Sequence, residues 1–267
     1  AGGALSARGA VSNYSDTAWS PSLGLNFKTT RQLSLYASRS NSFSPQGQVA
    51  RLGDPRLENE TSAGWDYGIK AALLDDKLVF TLGGFHIDRE GVKTTLRDPI
   101  TGLNETVAAG RQNTRGLEFE GSWRLNPQLI VMASYGFVNA RILYNGNAVT
   151  DVGRRPAGVP LDQGSVAWKY SPDRGPLRGL AWNAGLTYSG LAYPNSTAAL
   201  TDGRRNVSAP GYALVNTGLS FSWNAASIRT RHTVRLSAKN LLDREYVDQR
   251  GNLGVGRGVY AAYTLSR

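Results

Sequence analysis

The sequence predicts an all-β fold, an antiparallel up-and-down transmembrane β-barrel with about twelve strands present, and three observations carry that expectation. Apolar and polar residues alternate with a period of two along most of the chain, and no window shows the 3.6-residue stripe of a helix. The connections between the alternating stretches are by turns short and long. Aromatic residues gather towards both ends of those stretches, where amphipathic rings favour a membrane–water interface.

Alternating segments lie near 4–12, 20–28, 32–42, 61–73, 77–92, 105–125, 128–143, 160–170, 180–192, 211–223, 232–240 and 258–266. In 61–73, Trp65, Tyr67 and Ile69 oppose Asp66 and Lys70, the signature of a strand with one apolar face. In 77–92 the apolar phase changes, from Leu78, Phe80 and Leu82 to Phe85 and Ile87. The change falls on Gly83-Gly84, so a β-bulge is expected there. In 105–125, Leu117, Phe119, Trp123 and Leu125 oppose Glu118, Glu120, Ser122 and Arg124. Only one phase keeps charge out of hydrocarbon, so the apolar set is expected to face lipid and the acidic set the lumen. In 180–192, Leu180, Trp182, Leu186 and Tyr188 oppose Asn183, Thr187 and Ser189. All 11 prolines fall at strand ends or in connections of this map, as a residue without an N–H requires.

The short connections are 29–31, 75–76, 126–127, 171–179 and 224–231, and the long ones 43–60, 93–104, 144–159, 193–210 and 241–257. Membrane barrels have this asymmetry, with tight periplasmic turns and long extracellular loops. Phe27, Trp123, Trp168, Tyr170, Trp182 and Trp223 lie near the short turns. Phe43, Phe85, Phe137, Tyr188, Tyr193 and Tyr212 lie near the long loops, so two aromatic girdles are expected. A soluble β-sandwich with aromatics at its strand ends is the competing fold.

Composition narrows the function. No run of roughly 18 apolar residues occurs, and the mean hydropathy of −0.33 excludes a helical membrane protein while leaving a barrel open. Cysteine is absent, which removes disulfides, thiolate metal sites and cysteine nucleophiles, and only His86 and His232 offer imidazole. The formal charge of +10 is spread as scattered arginines without interleaved aromatics, which speaks against nucleic-acid binding. No signal-peptide pattern precedes Tyr14, and the chain opens on Ala1, so a fragment or processed chain is expected.

Several segments resemble the C-terminal barrel of TonB-dependent siderophore receptors. Lys239-Asn240-Leu241-Leu242-Asp243-Arg244-Glu245-Tyr246 is similar to the family's "NLFD-x-x-Y" element. Arg115 to Gly121 is similar to "RGVE-x-E", and Glu60 to Lys70 to "E-x-G-x-K". Gly158-Val159-Pro160 before Trp168-Lys169-Tyr170, and Pro210-Gly211-Tyr212, follow in the family's order. Each motif is weak, and their ordered spacing over nearly the whole chain makes the match. Physically, Asn240 and Asp243 suit side-chain to backbone turns at a strand exit, and Gly116 suits a close backbone approach.

The resemblance implies a 22-stranded barrel of the bacterial outer membrane, with an N-terminal plug and a segment that engages the TonB energy-transducing complex. Residues 1–267 are then expected to be the C-terminal portion of that one barrel domain, without the plug domain and N-terminal strands. The end at Leu265-Ser266-Arg267, where the family usually ends on an aromatic, suggests truncation there too. The implied activity is energy-coupled uptake of a ferric siderophore, a transported ligand and not a resident cofactor, by a monomer that performs no catalysis. Lipopolysaccharide is an expected neighbour.

Arg51, Arg154, Arg155, Arg204 and Arg205, on long connections, are the candidate ligand-binding residues, with Arg56, Arg97, Arg250 and Arg257 also on loops. Arginine makes bidentate contacts to anionic oxygens and stacks on aromatic rings, which suits an anionic ferric catecholate. Lipopolysaccharide phosphates or plain solvation would explain the same residues. His86, Asp88 and Glu90 alternate on one strand and could be drawn as a divalent-metal site, but a polar lumen-facing face explains them. Glu118 and Glu120 likewise read as lumen residues and not as an acid–base pair. Gly251 to Gly258 matches neither a P-loop nor a dinucleotide fingerprint, and no Gly-x-Ser-x-Gly element occurs. A passive substrate-specific pore, or a related receptor for haem or cobalamin, is the alternative. Haem is disfavoured because the stretch from Ser42-Phe43-Ser44-Pro45 to Asp54-Pro55-Arg56-Leu57, which corresponds to the region between the family's "FRAP" and "NPNL" elements, holds no histidine.

Overall fold

The computed structural model describes residues 17–46, 57–97, 102, 104–146, 151–194, 208–225 and 230–266. The described residues form one antiparallel sheet in which every strand pairs with its neighbours in sequence. Its strands are β1 (Ser22–Lys28), β2 (Leu33–Ser44), β3 (Glu60–Leu73), β4 (Leu78–Arg97), β5 (Asn104–Asn126), β6 (Leu129–Tyr144), β7 (Asp162–Tyr170), β8 (Leu180–Ser189), β9 (Tyr212–Ala225), β10 (Thr230–Lys239) and β11 (Gly258–Ser266). These 11 correspond to the expected strands from 20–28 onward, and the one expected at 4–12 lies outside the described residues. The sheet does not close on itself, so it is an arc of barrel wall.

Ser38, Lys70, Glu118, Ser134, Ser165 and Thr187, from six different strands, line one shared concavity, which identifies their face as the inner one. Pairing carries that face across the sheet, because strand neighbours share a side. Hydroxyl pairs mark it: Ser42 with Ser62 at 2.6 Å, Ser134 with Ser165 at 2.8 Å and Ser222 with Thr233 at 2.9 Å. The opposite, convex face carries Leu23, Leu25, Leu117, Phe119, Leu186, Leu219 and Phe221, all exposed, as lipid contact demands. Leu117, Phe119, Trp123 and Leu125 thus lie on the convex face and Glu118 and Glu120 on the concave one.

Gly83 and Gly84 do not bulge. Pairing runs unbroken from Leu78 to Glu90 against β5, and the register shifts instead on either side of Val92, next to Gly91 with its φ of 71°. Aromatic rings explain the two glycines. Tyr36 lies over Gly83 and Gly68 on the inner face, where an added Cβ would come within 2.5 and 2.9 Å of its hydroxyl. Tyr67 covers Gly84 on the outer face, and Phe85 covers Gly116, whose Cβ would also lie 2.1 Å from the Phe137 carbonyl. Bulky rings fill the holes that glycines leave, so the strand stays in phase. Phe85 and Ile87 consequently turn inward, and His86, Asp88 and Glu90 turn outward, not to the lumen.

The lower girdle stands as expected, with outward-facing Phe27, Trp123, Trp182 and Trp223 near the short turns, joined by His232, which stacks on Trp223 and hydrogen-bonds to Tyr263 at 2.6 Å. The upper girdle differs. Phe85 and Tyr212 face inward, and Trp65, Tyr67 and Tyr135 join Phe137 and Tyr188 outside. Immediately above it the outer face becomes polar, with Arg39, His86 and Arg115 in line with Trp65. The expected loop at 93–104 is strand at both of its ends, since β4 and β5 pair as far as Arg97 and Asn104.

Candidate functional site

The long-connection rim is built by side chains that satisfy backbone groups. Asn240 is 4% exposed and sits at a φ of 48°, a left-handed conformation that asparagine tolerates better than most residues. Its Nδ2 donates to the carbonyls of Arg244 at 2.9 Å and Val255 at 3.1 Å, and its Oδ1 accepts from the Arg244 N–H at 2.9 Å. Asp243, at a φ of 53°, accepts from the Arg257 N–H at 2.7 Å and faces its guanidinium at 3.7 Å. Asp248 accepts from the N–H groups of Asn252 and Arg250, and these bonds, Asn252 first, hold its carboxyl below the usual range. The motif 239–246 therefore shapes a loop.

Neighbouring connections join this loop. Gln249 donates to Ser189 Oγ at 2.8 Å, the Tyr212 and Tyr246 rings meet at 4.4 Å, and the Gly158 N–H donates to the Tyr193 carbonyl at 2.8 Å. On the other side Thr94 donates to Asn145, whose Nδ2 donates to Asp151 at 3.0 Å.

Of the candidate arginines, Arg51, Arg204 and Arg205 lie outside the described residues, as does Arg56. Arg154 is half-buried in the connection between β6 and β7, where its carbonyl accepts from the Ile142 N–H at 2.9 Å. Arg155 points inward. Only 8% exposed, it donates through Nη1 to the Val138 carbonyl at 2.6 Å and the Pro160 carbonyl at 3.3 Å. Burial, and then the charge of Arg141, lower its pKa. Its place is that of a clamp between a strand end and a loop.

Two of the outward trio are joined through Asn113, whose Nδ2 reaches His86 at 2.5 Å and Asp88 at 2.6 Å. Among the described residues no group of three metal-ligating side chains gathers. On the inner face, Glu60 pairs with Arg89, and Asp66, Lys70, Glu118 and Glu120 share the concavity between β2 and β8. Sequence reasoning singled out the loop arginines and passed over the lumen-facing Arg231, Arg235 and Lys239, although the alternation in 232–240 places Arg235 and Lys239 on the polar face; Arg231 falls in the expected connection 224–231, which the strand β10 in fact enters.

A wall that is apolar outside, hydroxyl-rich inside and rimmed by long connections on one edge fits a large outer-membrane barrel. The family model for the TonB-dependent receptor-like β-barrel matches residues 2–241. The chain belongs to this family. The receptor barrel is 27% identical over 261 residues to the metal-pseudopaline receptor CntO of Pseudomonas aeruginosa, covering 97% of this chain and 34% of that protein. It is 27% identical over 226 residues to the ferrichrome outer membrane transporter/phage receptor of Escherichia coli, covering 84% of this chain and 28% of that one. The siderophore receptor PiuA from Acinetobacter baumannii superposes with a TM-score of 0.73 at 19% identity, over 92% of this chain and 35% of that chain. The chain thus spans about a third of the length of the curated relatives it matches. The fold is a C-terminal part of an outer-membrane receptor barrel, and the family is one of receptors, not enzymes.

Proposed function

We propose that the receptor containing this barrel wall takes up a ferric siderophore across the outer membrane, with energy supplied through TonB. The observation that carries this reading is that curated relatives matched over most of the chain are named as a metal-pseudopaline receptor, a ferrichrome transporter and a ferric-pyoverdine receptor. Chelated metal is common to all three names. The rim of long connections would capture the complex, and coupling to TonB would use parts of the receptor outside these residues. Arg154, with Arg51, Arg204 and Arg205, would contact an anionic complex, while Arg155 would hold the loop that presents Arg154. Lipopolysaccharide would surround the polar outer face above the upper girdle.

The test is uptake by cells that lack their own siderophore receptors and express the full-length protein, offered radioiron-labelled ferric siderophores and haem and radiocobalt-labelled cobalamin. Uptake of one ferric siderophore that stops on loss of TonB is expected. Uptake that persists without TonB would make the protein a passive pore, and selective uptake of haem or cobalamin would reassign the cargo.

A further inference from the structure

The inner wall carries charges of both signs on one side and cations alone on the other. On the inner faces of β3 to β5, Glu60, Asp66, Glu118 and Glu120 are interspersed with Lys70, Arg89 and Arg124. In the six strands from β6 to β11 the one carboxylate is Asp162, and it faces outward, where it accepts from the Tyr135 hydroxyl at 3.1 Å. The same six strands turn Lys169, Arg231, Arg235 and Lys239 inward. Three of these cations stand on β10 at four-residue intervals, which the period of two keeps on a single face. They run from beside the short-connection rim to directly beneath Asn240, about 26 Å of strand.

Nothing on the neighbouring strands offsets them. The cross-strand partners of Arg231 are Asn224 and Ser266, those of Arg235 are Ser220 and Ala262, and that of Lys239 is Gly258. Arg231, Arg235 and Lys239 are all exposed, and Lys239 lies 5.8 Å from the Tyr260 ring centre. A column of like charges adds repulsion without helping the sheet, so its use lies in what it faces. Low-dielectric walls concentrate such a field inside a lumen. Spaced binding sites of moderate strength let a solute pass from one to the next without being trapped at any.

We propose that the inner face of β10 is an anion track, along which an anionic cargo moves from the loop rim towards the short-turn rim by successive contact with Lys239, Arg235 and Arg231. This rests on the uptake function proposed above and adds the cargo's charge and its side of the lumen. Each contact is charge-assisted hydrogen bonding to carboxylate or catecholate oxygens. Between β3 and β5 the carboxylates are offset by Lys70, Arg89 and Arg124, so β10 is the side of this wall with an uncompensated positive charge.

Two measurements on the full-length receptor in the outer membrane test the track. Ser237 lies inward between Arg235 and Lys239, and this chain has no cysteine, so Ser237→Cys in a cysteine-free receptor reports the local potential. With each rate divided by that reagent's rate with a free small thiol, anionic sulfonatoethyl methanethiosulfonate is expected to react about tenfold faster than its cationic trimethylammonium counterpart, with the normalised ratio falling towards one after Arg235→Gln and Lys239→Gln. A ratio of one or less in the parent, meaning carboxylates elsewhere in the receptor neutralise the column, overturns the proposal.

The second measurement compares import of a trianionic ferric tris-catecholate with that of a neutral ferric tris-hydroxamate. The triple variant Arg231→Gln, Arg235→Gln, Lys239→Gln is expected to slow import of the anionic complex at least about fivefold. Its binding to energy-poisoned cells should be unchanged, and Arg231→Lys, Arg235→Lys and Lys239→Arg should restore import. Unchanged import, equal loss for both complexes, or no rescue by the charge-conserving set overturns the track. If the receptor imports no ferric complex, the siderophore reading fails, while the thiol ratio still decides whether β10 attracts anions.

Discussion

Asn240 and Arg155 are two polar side chains whose importance lies in the backbone they hold. Asn240→Gly keeps the left-handed backbone but removes the hydrogen bonds to Arg244 and Val255, whereas Asn240→Ala also adds about 1–2 kcal/mol of backbone strain. Each lost buried bond is worth about 0.5–1.5 kcal/mol, so protease nicking of 241–257 in intact cells should rise in the order wild type, Gly, Ala. Equal nicking in all three would remove Asn240 as the loop's anchor. Arg154→Gln is expected to weaken binding of an anionic ferric complex mainly at low salt, the mark of a screened charge. Arg155→Gln should instead loosen 145–161 at every salt concentration, because it orphans the Val138 and Pro160 carbonyls. Asp248 adds a pH arm. A carboxyl held below its ordinary pKa stabilises the fold above that pKa and loses the contribution as pH falls through its folded value. Nicking near Gly251 should therefore increase only in strongly acid medium, and Asp248→Asn should make it insensitive to pH.

At the scale of a strand, β5 shows what alternation alone can tell. The apolar Leu117, Phe119, Trp123 and Leu125 and the acidic Glu118 and Glu120 leave one tolerable phase, and the sheet adopts it. Arginine at a mid-bilayer lipid-facing site costs about 2–4 kcal/mol in such barrels, while lumen positions chiefly alter selectivity. Phe119→Arg should therefore impair assembly of the full-length receptor much more than Glu118→Arg, read as heat-modifiable gel mobility in isolated outer membranes. The reverse ranking would turn the strand inside out and overturn every inner-face assignment, since a one-residue slip flips all side chains. β4 shows where alternation misleads. Phe85 and Ile87 looked like lipid-facing residues displaced by a bulge, yet they are inner-face residues, with Phe85 seated over Gly116 of the next strand. An aromatic–glycine partnership across strands leaves no mark in the local sequence of either strand. The true bulge at Gly91 lies above the girdle, where hydrophobic phase no longer constrains the register and so cannot reveal a shift.

For the whole molecule, strand order and the two rims were legible because each connection is either a few residues or many, and consecutive strands had no other neighbours to choose. The site was less legible. Loop arginines announce themselves by charge but not by where they point, and Arg155 points into the protein because two carbonyls brought together by the fold receive it. The β10 column is the converse, visible only once pairing shows that no carboxylate stands beside it. Orientation in the membrane follows from the same asymmetry of connections. Short turns face the periplasm in barrels of this class, so the rim carrying Val152 and Leu253 should face the medium and the turn at Leu74 to Lys77 should not. Val152 is 46% and Leu253 88% exposed, so a cysteine at either site has room to react without disturbing the packing beneath. With cysteine absent from this chain, Val152→Cys and Leu253→Cys in a cysteine-free full-length receptor should label on intact cells with a membrane-impermeant maleimide. Asp76→Cys should label only after the outer membrane is opened. Labelling of Asp76→Cys on intact cells, with Val152→Cys silent, would invert the barrel and place the basic rim loops in the periplasm, where they could not capture a cargo from outside.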